Sequence, residues 1–165
     1  MSIKKISDID WITWKAIDSA TLVFVILGGR ILLIHKKRGL GAGKINGPGG
    51  RLELGETPEA CASRELMEEL GVVSGELVRM GDHRFQFVDG YSTYVHVYRT
   101  YEIEGTAIET DEASPRWCDL AEIPFDDMWE GDRYWLPLVI QDRRFSGYWI
   151  FDGDRMVDYR LDILD

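Results

Sequence analysis

Two apolar runs, ATLVFVIL at residues 20–27 and RILLIHK at 30–36, flank the pair Gly28–Gly29. β-rich runs around two glycines predict a hairpin. The next segment, GLGAGKINGPGG at residues 39–50, holds six glycines and a proline, a density suited to tight turns or close backbone approach to a ligand. The pattern then turns helical. Thr57 is a good N-cap, Pro58 suits the first helical position, and Gly71 suits the left-handed C-terminal position. Ala60, Ser63, Leu66, Met67 and Leu70 are placed on one side of this helix. Glu65, Glu68 and Glu69 are placed on the other, predicting an acidic outer face turned away from the core.

Strand patterns return at residues 75–88 and 93–103, the second alternating between two environments. Residues 120–129 read as a turn-rich link. A helical stripe through Trp135, Leu136, Val139 and Ile140 follows, with Pro137 expected in the first turn or at a kink. GYWIFDG and RMVDYRL predict a closing hairpin. There is no internal repeat, low-complexity segment or long linker.

A chain of 165 residues, 45% hydrophobic, suits one domain with a real core. Residues 1–18 are expected to form an N-terminal extension whose Trp11 and Trp14 pack onto a single domain at 19–165. Cys61 and Cys118 fit neither a CxxC site nor a secreted disulfide framework, so both are expected as reduced thiols of a cytoplasmic protein. The N-terminus lacks a signal-peptide core, and no run approaches membrane-spanning length.

The net charge of −10 argues against long nucleic acid or an anionic membrane as partner. The charge is unevenly distributed. Between residues 19 and 52 stand six basic residues and no acidic one, directly before the acidic helix. Glutamates three and four apart on a helix repel by only about 0.2–0.5 kcal/mol per pair, so a solvated acidic face is the plain alternative. A hard divalent cation, however, takes carboxylate ligands beside a phosphate, and a basic glycine-rich loop can hold that phosphate. Metal between the two would reconcile an acidic protein with an anionic substrate.

The stretch GPGGRLELGETPEACASRELMEELGV resembles the Nudix box, G-x5-E-x7-R-E-U-x-E-E-x-G-U, where U is bulky and apolar. Gly50, Glu56, Arg64, Glu65, Leu66, Glu68, Glu69, Gly71 and Val72 fill every specified position. The resemblance implies an α/β fold, the Nudix fold, with a mixed β-sheet sandwiched between helices. It also implies a monomeric enzyme acting on small nucleotides, with Mg²⁺, or Mn²⁺ in its place, as cofactor. By the same resemblance the metal ligands would be the Gly49 carbonyl, Glu65, Glu68, Glu69 and Glu112, with Arg64 orienting the glutamates. Glu69 or Glu112 would take the proton of the attacking water.

From about Thr21 onward the sequence is similar to the branch of that family acting on oxidized purine nucleoside triphosphates. This likeness implies a substrate site of Thr21, Lys36, Asn46, Gly49, Gly50, Arg51, Phe85, Trp129 and Asp132. Trp129 would stack on the purine, Asn46 would offer a donor and an acceptor, and ionised Asp132 would accept from a guanine-type N1–H and 2-amino group. Taken alone, Trp129 reads as core, Phe85 and Thr21 as strand packing, Asn46 as a turn residue and Lys36 as a solvated strand end. His35, His83 and His96 have no ligand spacing.

One departure stands in MWEGD, where the branch pattern places Pro-Asp-Asp after the tryptophan. Glu130, Gly131 and Asp132 occupy those places, so one of two adjacent aspartates is missing, and Leu40 and Pro48 replace aromatic residues. The expectation is a guanine-type preference with weaker handling of oxidized adenines, and a gain on 2-hydroxy-dATP from Gly131→Asp. Other Nudix substrates remain open: ordinary dNTPs, diadenosine polyphosphates, ADP-ribose or capped RNA. So does a non-catalytic nucleotide sensor, against which the intact box glutamates stand.

Overall fold

The computed structural model describes residues 3–165. In chain order it contains β1 (Asp18–Leu27), β2 (Arg30–Lys36), β3 (Ile45–Asn46), β4 (Gly49–Arg51), α1 (Pro58–Leu70), β5 (Val73–Ser74), β6 (Val78–Phe87) and β7 (Ser92–Thr100). β8 (Ile103–Glu104), β9 (Ala113–Asp119), α2 (Asp132–Ile140), β10 (Phe145–Asp152) and β11 (Arg155–Ile163) complete it. Short 3-10 turns occur at Ile6–Asp8 and Phe125–Asp127.

Nine strands form one sheet in the order β11-β10-β6-β7-β1-β2-β3, with β4 added to β1 and β9 to β2. β1 runs parallel to β7 and β10 parallel to β6, while the other pairs are antiparallel. The sheet is therefore mixed. Strand β1 lies inside it between β7 and β2, which explains the unbroken apolar run of that strand. Val23 and Val25 pack with Ala62, Leu66 and Leu70 of α1, whereas Phe24 and Ile26 pack with Trp135, Leu136 and Val139 of α2. Both faces of β1 are covered, so the helices enclose the sheet.

Leu27 pairs with Arg30 across Gly28 and Gly29, whose φ values of 55° and 78° are what a tight two-residue hairpin turn demands. Helix α1 starts and stops where the caps predict. The Thr57 hydroxyl accepts from Ala60 N, and Gly71 is left-handed at φ 71°. Its faces differ from the expectation. Glu65 and Glu69 are buried, at 9% and 2% exposure, while Ala60, Ser63 and Met67 are exposed. Cys61, Glu65 and Glu69 form one i, i+4 row beside the row Ala62, Leu66 and Leu70, so the inward arc holds both rows and, of the three box glutamates, Glu68 alone faces out.

Pro137 lies in the second turn of α2, so of the two expected places, the first turn or a kink, the first turn is ruled out. Before β1, Trp11 packs edge-on against Tyr148 of β10 at 5.1 Å, and Trp14 Nε1 donates to Gln86 Oε1 at 2.9 Å.

Candidate active site

Strand β4 pairs with β1 and lies against α1. A Cβ on Gly49 would collide with the carbonyl oxygen of Thr21, and its φ of 153° lies outside the range of other residues. A Cβ on Gly50 would lie 2.5 Å from Glu65 Oε1. With both side chains missing, the acidic row of α1 lies directly against the loop. Gly49 N donates to Glu69 Oε1 at 2.7 Å.

Pairing of β9 with β2 sets Ala113 opposite Lys36, and Lys37 N donates to the carbonyl of Glu112 at 3.0 Å. Glu112 thereby joins residues more than forty positions away. Glu65, Glu69 and Glu112 each place a carboxylate oxygen within 4.8 Å of the other two. Burial pushes the Glu69 carboxyl up to about 8 against the Gly49 N–H, and Glu65 and Glu112 push it the same way. Burial likewise raises Glu65. Three hard oxygen donors, two of them buried and repelling one another, fit a divalent cation.

Glu68 stands outside this cluster. Its Oε2 accepts from Arg64 Nη1 at 3.0 Å on the outer side of the helix. Arg64 is the hub of the box: it grips Glu56 through Nε and Nη2 at 2.7 and 2.9 Å, and Nη1 also donates to Glu65 Oε1 at 2.9 Å. Nη2 further donates to the carbonyl of Arg51 at 3.1 Å, tying α1 to β4. The guanidinium holds the Glu56 carboxyl down at about 2.

A cavity of about 660 Å³ opens from the glutamate cluster. Thr21, Lys36, Asn46, Gly49, Gly50, Arg51, Phe85, Trp129 and Asp132 all line it, together with Glu65, Glu69 and Glu112. Of the residues expected at the site, only Arg64 and Glu68 lie outside its wall. Arg51 stays at the surface, 3.6 Å from Asp18, while Thr21 is buried against Cys61. Asn46 engages its own loop with one half of its amide. Its Nδ2 donates to the carbonyls of Gly41 and Lys44 at 3.3 and 3.1 Å, so its oxygen is the atom left for a ligand.

At the end away from the glutamates, Asp132 occupies the first turn of α2 and is buried. Burial lifts its carboxyl to about 7, opposed by the N–H groups of Trp135 and Trp129 and by the charge of Lys44. Trp135 Nε1 is buried without a hydrogen bond of good geometry. The neighbouring acid Glu130 turns outward and accepts from Met156 N at 3.3 Å. Trp129 meets Phe151 edge-on at 5.4 Å, and Lys44 Nζ sits 5.2 Å from its ring centroid.

Arg38, Trp135 and Asp89 also line the cavity. Arg38 Nη2 donates to Glu112 Oε1 at 3.0 Å, which puts a cation at the glutamate end. Its signal was present in the basic run before the helix, but nothing local separates it from Lys37. Trp135, on the apolar stripe of α2, faces both the core and the cavity.

Known proteins carry the same framework. The NUDIX domain family matches residues 17–139. An oxidized purine nucleoside triphosphate hydrolase from Danio rerio is 46% identical over 144 residues, covering 86% of this chain and 92% of that one. The protein of the same name from Mus musculus is 42% identical over 147 residues, covering 88% and 94%. The crystal structure of a mutator MutT protein from Bacillus halodurans superposes with a TM-score of 0.80 at 25% identity, covering 88% of this chain and 98% of that one. A family match spanning about three quarters of the chain, the box residues Gly50, Glu65 and Glu69 on the wall of one cavity, and a shared fold make this protein a member of the NUDIX family, a Nudix hydrolase of the MutT type.

Proposed function

We propose that this protein is a Mg²⁺-dependent pyrophosphohydrolase of oxidized purine nucleoside triphosphates such as 8-oxo-dGTP, releasing the monophosphate and pyrophosphate. The observation that carries the reading is one cavity with three clustered carboxylates, Glu65, Glu69 and Glu112, at one end and the buried acid Asp132 at the other. A triphosphate needs the first end and a purine edge the second.

Glu65, Glu69 and Glu112 would hold the metal, with Glu68 and the Gly49 carbonyl as further donors. When bound, a divalent cation there lowers the pKa of a water and neutralises charge developing on the phosphates. The chain's own residues do the rest. Arg64 fixes the rotamers of Glu65 and Glu68, and Glu69 or Glu112 accepts the proton of the attacking water. Arg38, Lys36 and Arg51 supply positive charge where the triphosphate lies. At the base end Trp129 stacks on the ring, Phe85 adds apolar wall, Asn46 presents its oxygen, and ionised Asp132 accepts from the N1–H and 2-amino group.

The acidic surface favours free nucleotides over long nucleic acid, and Mn²⁺ would serve in place of Mg²⁺. No helix among the described residues is long and apolar enough to cross a membrane. We place the protein in the cytoplasm as a monomer, residues 19–165 forming its catalytic domain.

Product analysis with Mg²⁺ across 8-oxo-dGTP, 2-hydroxy-dATP, dGTP, dATP and ADP-ribose tests the proposal. A higher kcat/KM for an oxidized purine, with monophosphate and pyrophosphate formed, is expected. Turnover confined to unmodified or dinucleotide substrates would leave the box chemistry standing and overturn the reading of the base end.

A further inference from the structure

Two glycines of this chain are cut away around one side chain. Gly131 has φ −72° and ψ −21°, ordinary right-handed backbone open to any L residue. Its lack of a side chain is therefore a matter of space. A Cβ there would lie 2.8 Å from Cζ3 and 3.0 Å from Cε3 of Trp149. At Gly147 a Cβ would collide with Trp149 Nε1 and lie 2.6 Å from His83 Nδ1.

Trp149 has no freedom to yield. It is fully buried, its Nε1 donates to His83 Nδ1 at 2.8 Å, and its indole stacks on Tyr159 at 5.2 Å with 11° between the planes. His83 is buried as well, wedged against Trp135 at 4.3 Å between ring centroids. The other face of Trp149 looks toward Phe85, 6.2 Å away and nearly parallel, and Phe85 lines the cavity. The indole thus stands directly behind the base end, against the residue that precedes Asp132.

We infer that Trp149, held by His83, is a specificity-determining positioning residue: it fills the space a side chain at position 131 would need and leaves Asp132 as the sole buried carboxylate lining the base end. Asp89, the other acid on that part of the wall, is exposed. The inference rests on the proposed function and narrows its substrate class. Across positions 6, 1 and 2, a guanine-type edge runs acceptor, donor, donor, whereas the keto form of 2-hydroxyadenine runs donor, donor, acceptor. The donor pair moves by one position between them. One fixed carboxylate matches one placement of that pair, and a second acid beside it, free to be protonated or ionised, is what would match both. With position 131 closed, the protein prefers the guanine type. The same geometry corrects the expectation for Gly131→Asp alone, because the new side chain has no room while Trp149 stands.

The test is a double-mutant cycle with substrate competition. Gly131→Ala, Gly131→Asp, Trp149→Phe and both pairwise combinations are purified and melted without nucleotide. Both position-131 substitutions are expected to lower Tm in the wild-type background and to do so clearly less in the Trp149→Phe background. Equal losses in the two backgrounds, or no loss at all, would overturn the exclusion. The kcat/KM ratio of 2-hydroxy-dATP to 8-oxo-dGTP is then measured for Gly131→Asp/Trp149→Phe and for Trp149→Phe alone. A rise of about tenfold in the double variant over the single one is expected. An unchanged ratio, or a double variant that does not fold, counts against the inference. Absence of 8-oxo-dGTP turnover in the wild type would sink the proposed function instead, and the melting cycle would still decide whether Trp149 closes position 131.

Discussion

The backbone N–H of Gly49 donates to Oε1 of Glu69 across 2.7 Å, joining the end of the glycine loop to the last turn of the box helix. The bond fixes a buried carboxylate that burial lifts to about 8 in spite of it. Glu69→Gln keeps an acceptor oxygen for Gly49 and removes only the charge. The variant is expected to fold with a metal-free Tm no lower than wild type, to lose turnover by two or more orders of magnitude, and to lose the Tm increase that Mg²⁺ confers by binding the folded state. Normal hydrolysis by this variant would remove Glu69 from the metal site.

Arg64 spends its fork on Glu56 while its third nitrogen reaches Glu65 and Glu68. Lysine carries the charge but cannot hold Glu56 bidentately and span both glutamates. Arg64→Lys should therefore reduce kcat/KM by about 10- to 100-fold, in the range seen when residues that orient metal ligands are changed. Titration of Mg²⁺ against activity should show weaker binding, and unchanged metal dependence would assign Arg64 a purely structural part.

Asp132 links pH to both stability and substrate choice. Its folded-state pKa, near 7, lies above the ordinary carboxylate value, so between about pH 4 and 7 the folded protein keeps a proton that the unfolded chain has lost. Stability contributed by this group is full below that window and falls as pH rises through it. Asp132→Asn should accordingly melt higher than wild type at pH 8, by at most about 4 kcal/mol, with the difference vanishing near pH 4. In wild type the kcat/KM ratio of 8-oxo-dGTP to 2-hydroxy-dATP should rise as Asp132 ionises, because the ratio cancels ionisations at the metal end shared by both substrates. Calorimetry and paired pH profiles check the two halves; a flat ratio across pH 6 to 8 would contradict the base-reading role.

Trp14 reaches Gln86, and Gln86 in turn donates to the carbonyls of Phe87 and Tyr91 beside the cavity. Trp14→Ala loses that hydrogen bond and part of an aromatic contact with Trp11. A loss of about 1–2 kcal/mol in denaturant unfolding is expected, with kcat/KM within about twofold of wild type. A selective rise in KM would make the N-terminal segment part of the substrate site.

Much of this architecture was legible because its causes are local. Thr57, Pro58 and Gly71 bound α1 through cap chemistry within a few residues, and Gly28–Gly29 demand a hairpin through backbone geometry alone. The box spacing works the same way, since glutamates at fixed intervals on one helix keep their relative positions wherever that helix lies. Which side of the helix is inside was not local. Glu65 and Glu69 are buried because Gly49 and Gly50 let β4 approach them, a packing decision between segments about twenty residues apart.

By itself, then, the sequence determined the β1–β2 hairpin, both ends of α1, the closing hairpin of β10 and β11, the carboxylate-bearing helix and the family, while β4 and β9 are set by their pairing with β1 and β2. Only the tertiary structure decided that Glu68 faces outward with Arg64, that Glu112 and Arg38 reach the cluster through the pairing of β9 with β2, and that Asn46 spends its amide donors on its own loop. It alone set Trp149 against Gly131. Helix and turn signals arise from interactions over a few residues, whereas burial and contact depend on which distant segments pack together. A carboxylate's neighbours, and the room left for a side chain, are properties of that packing.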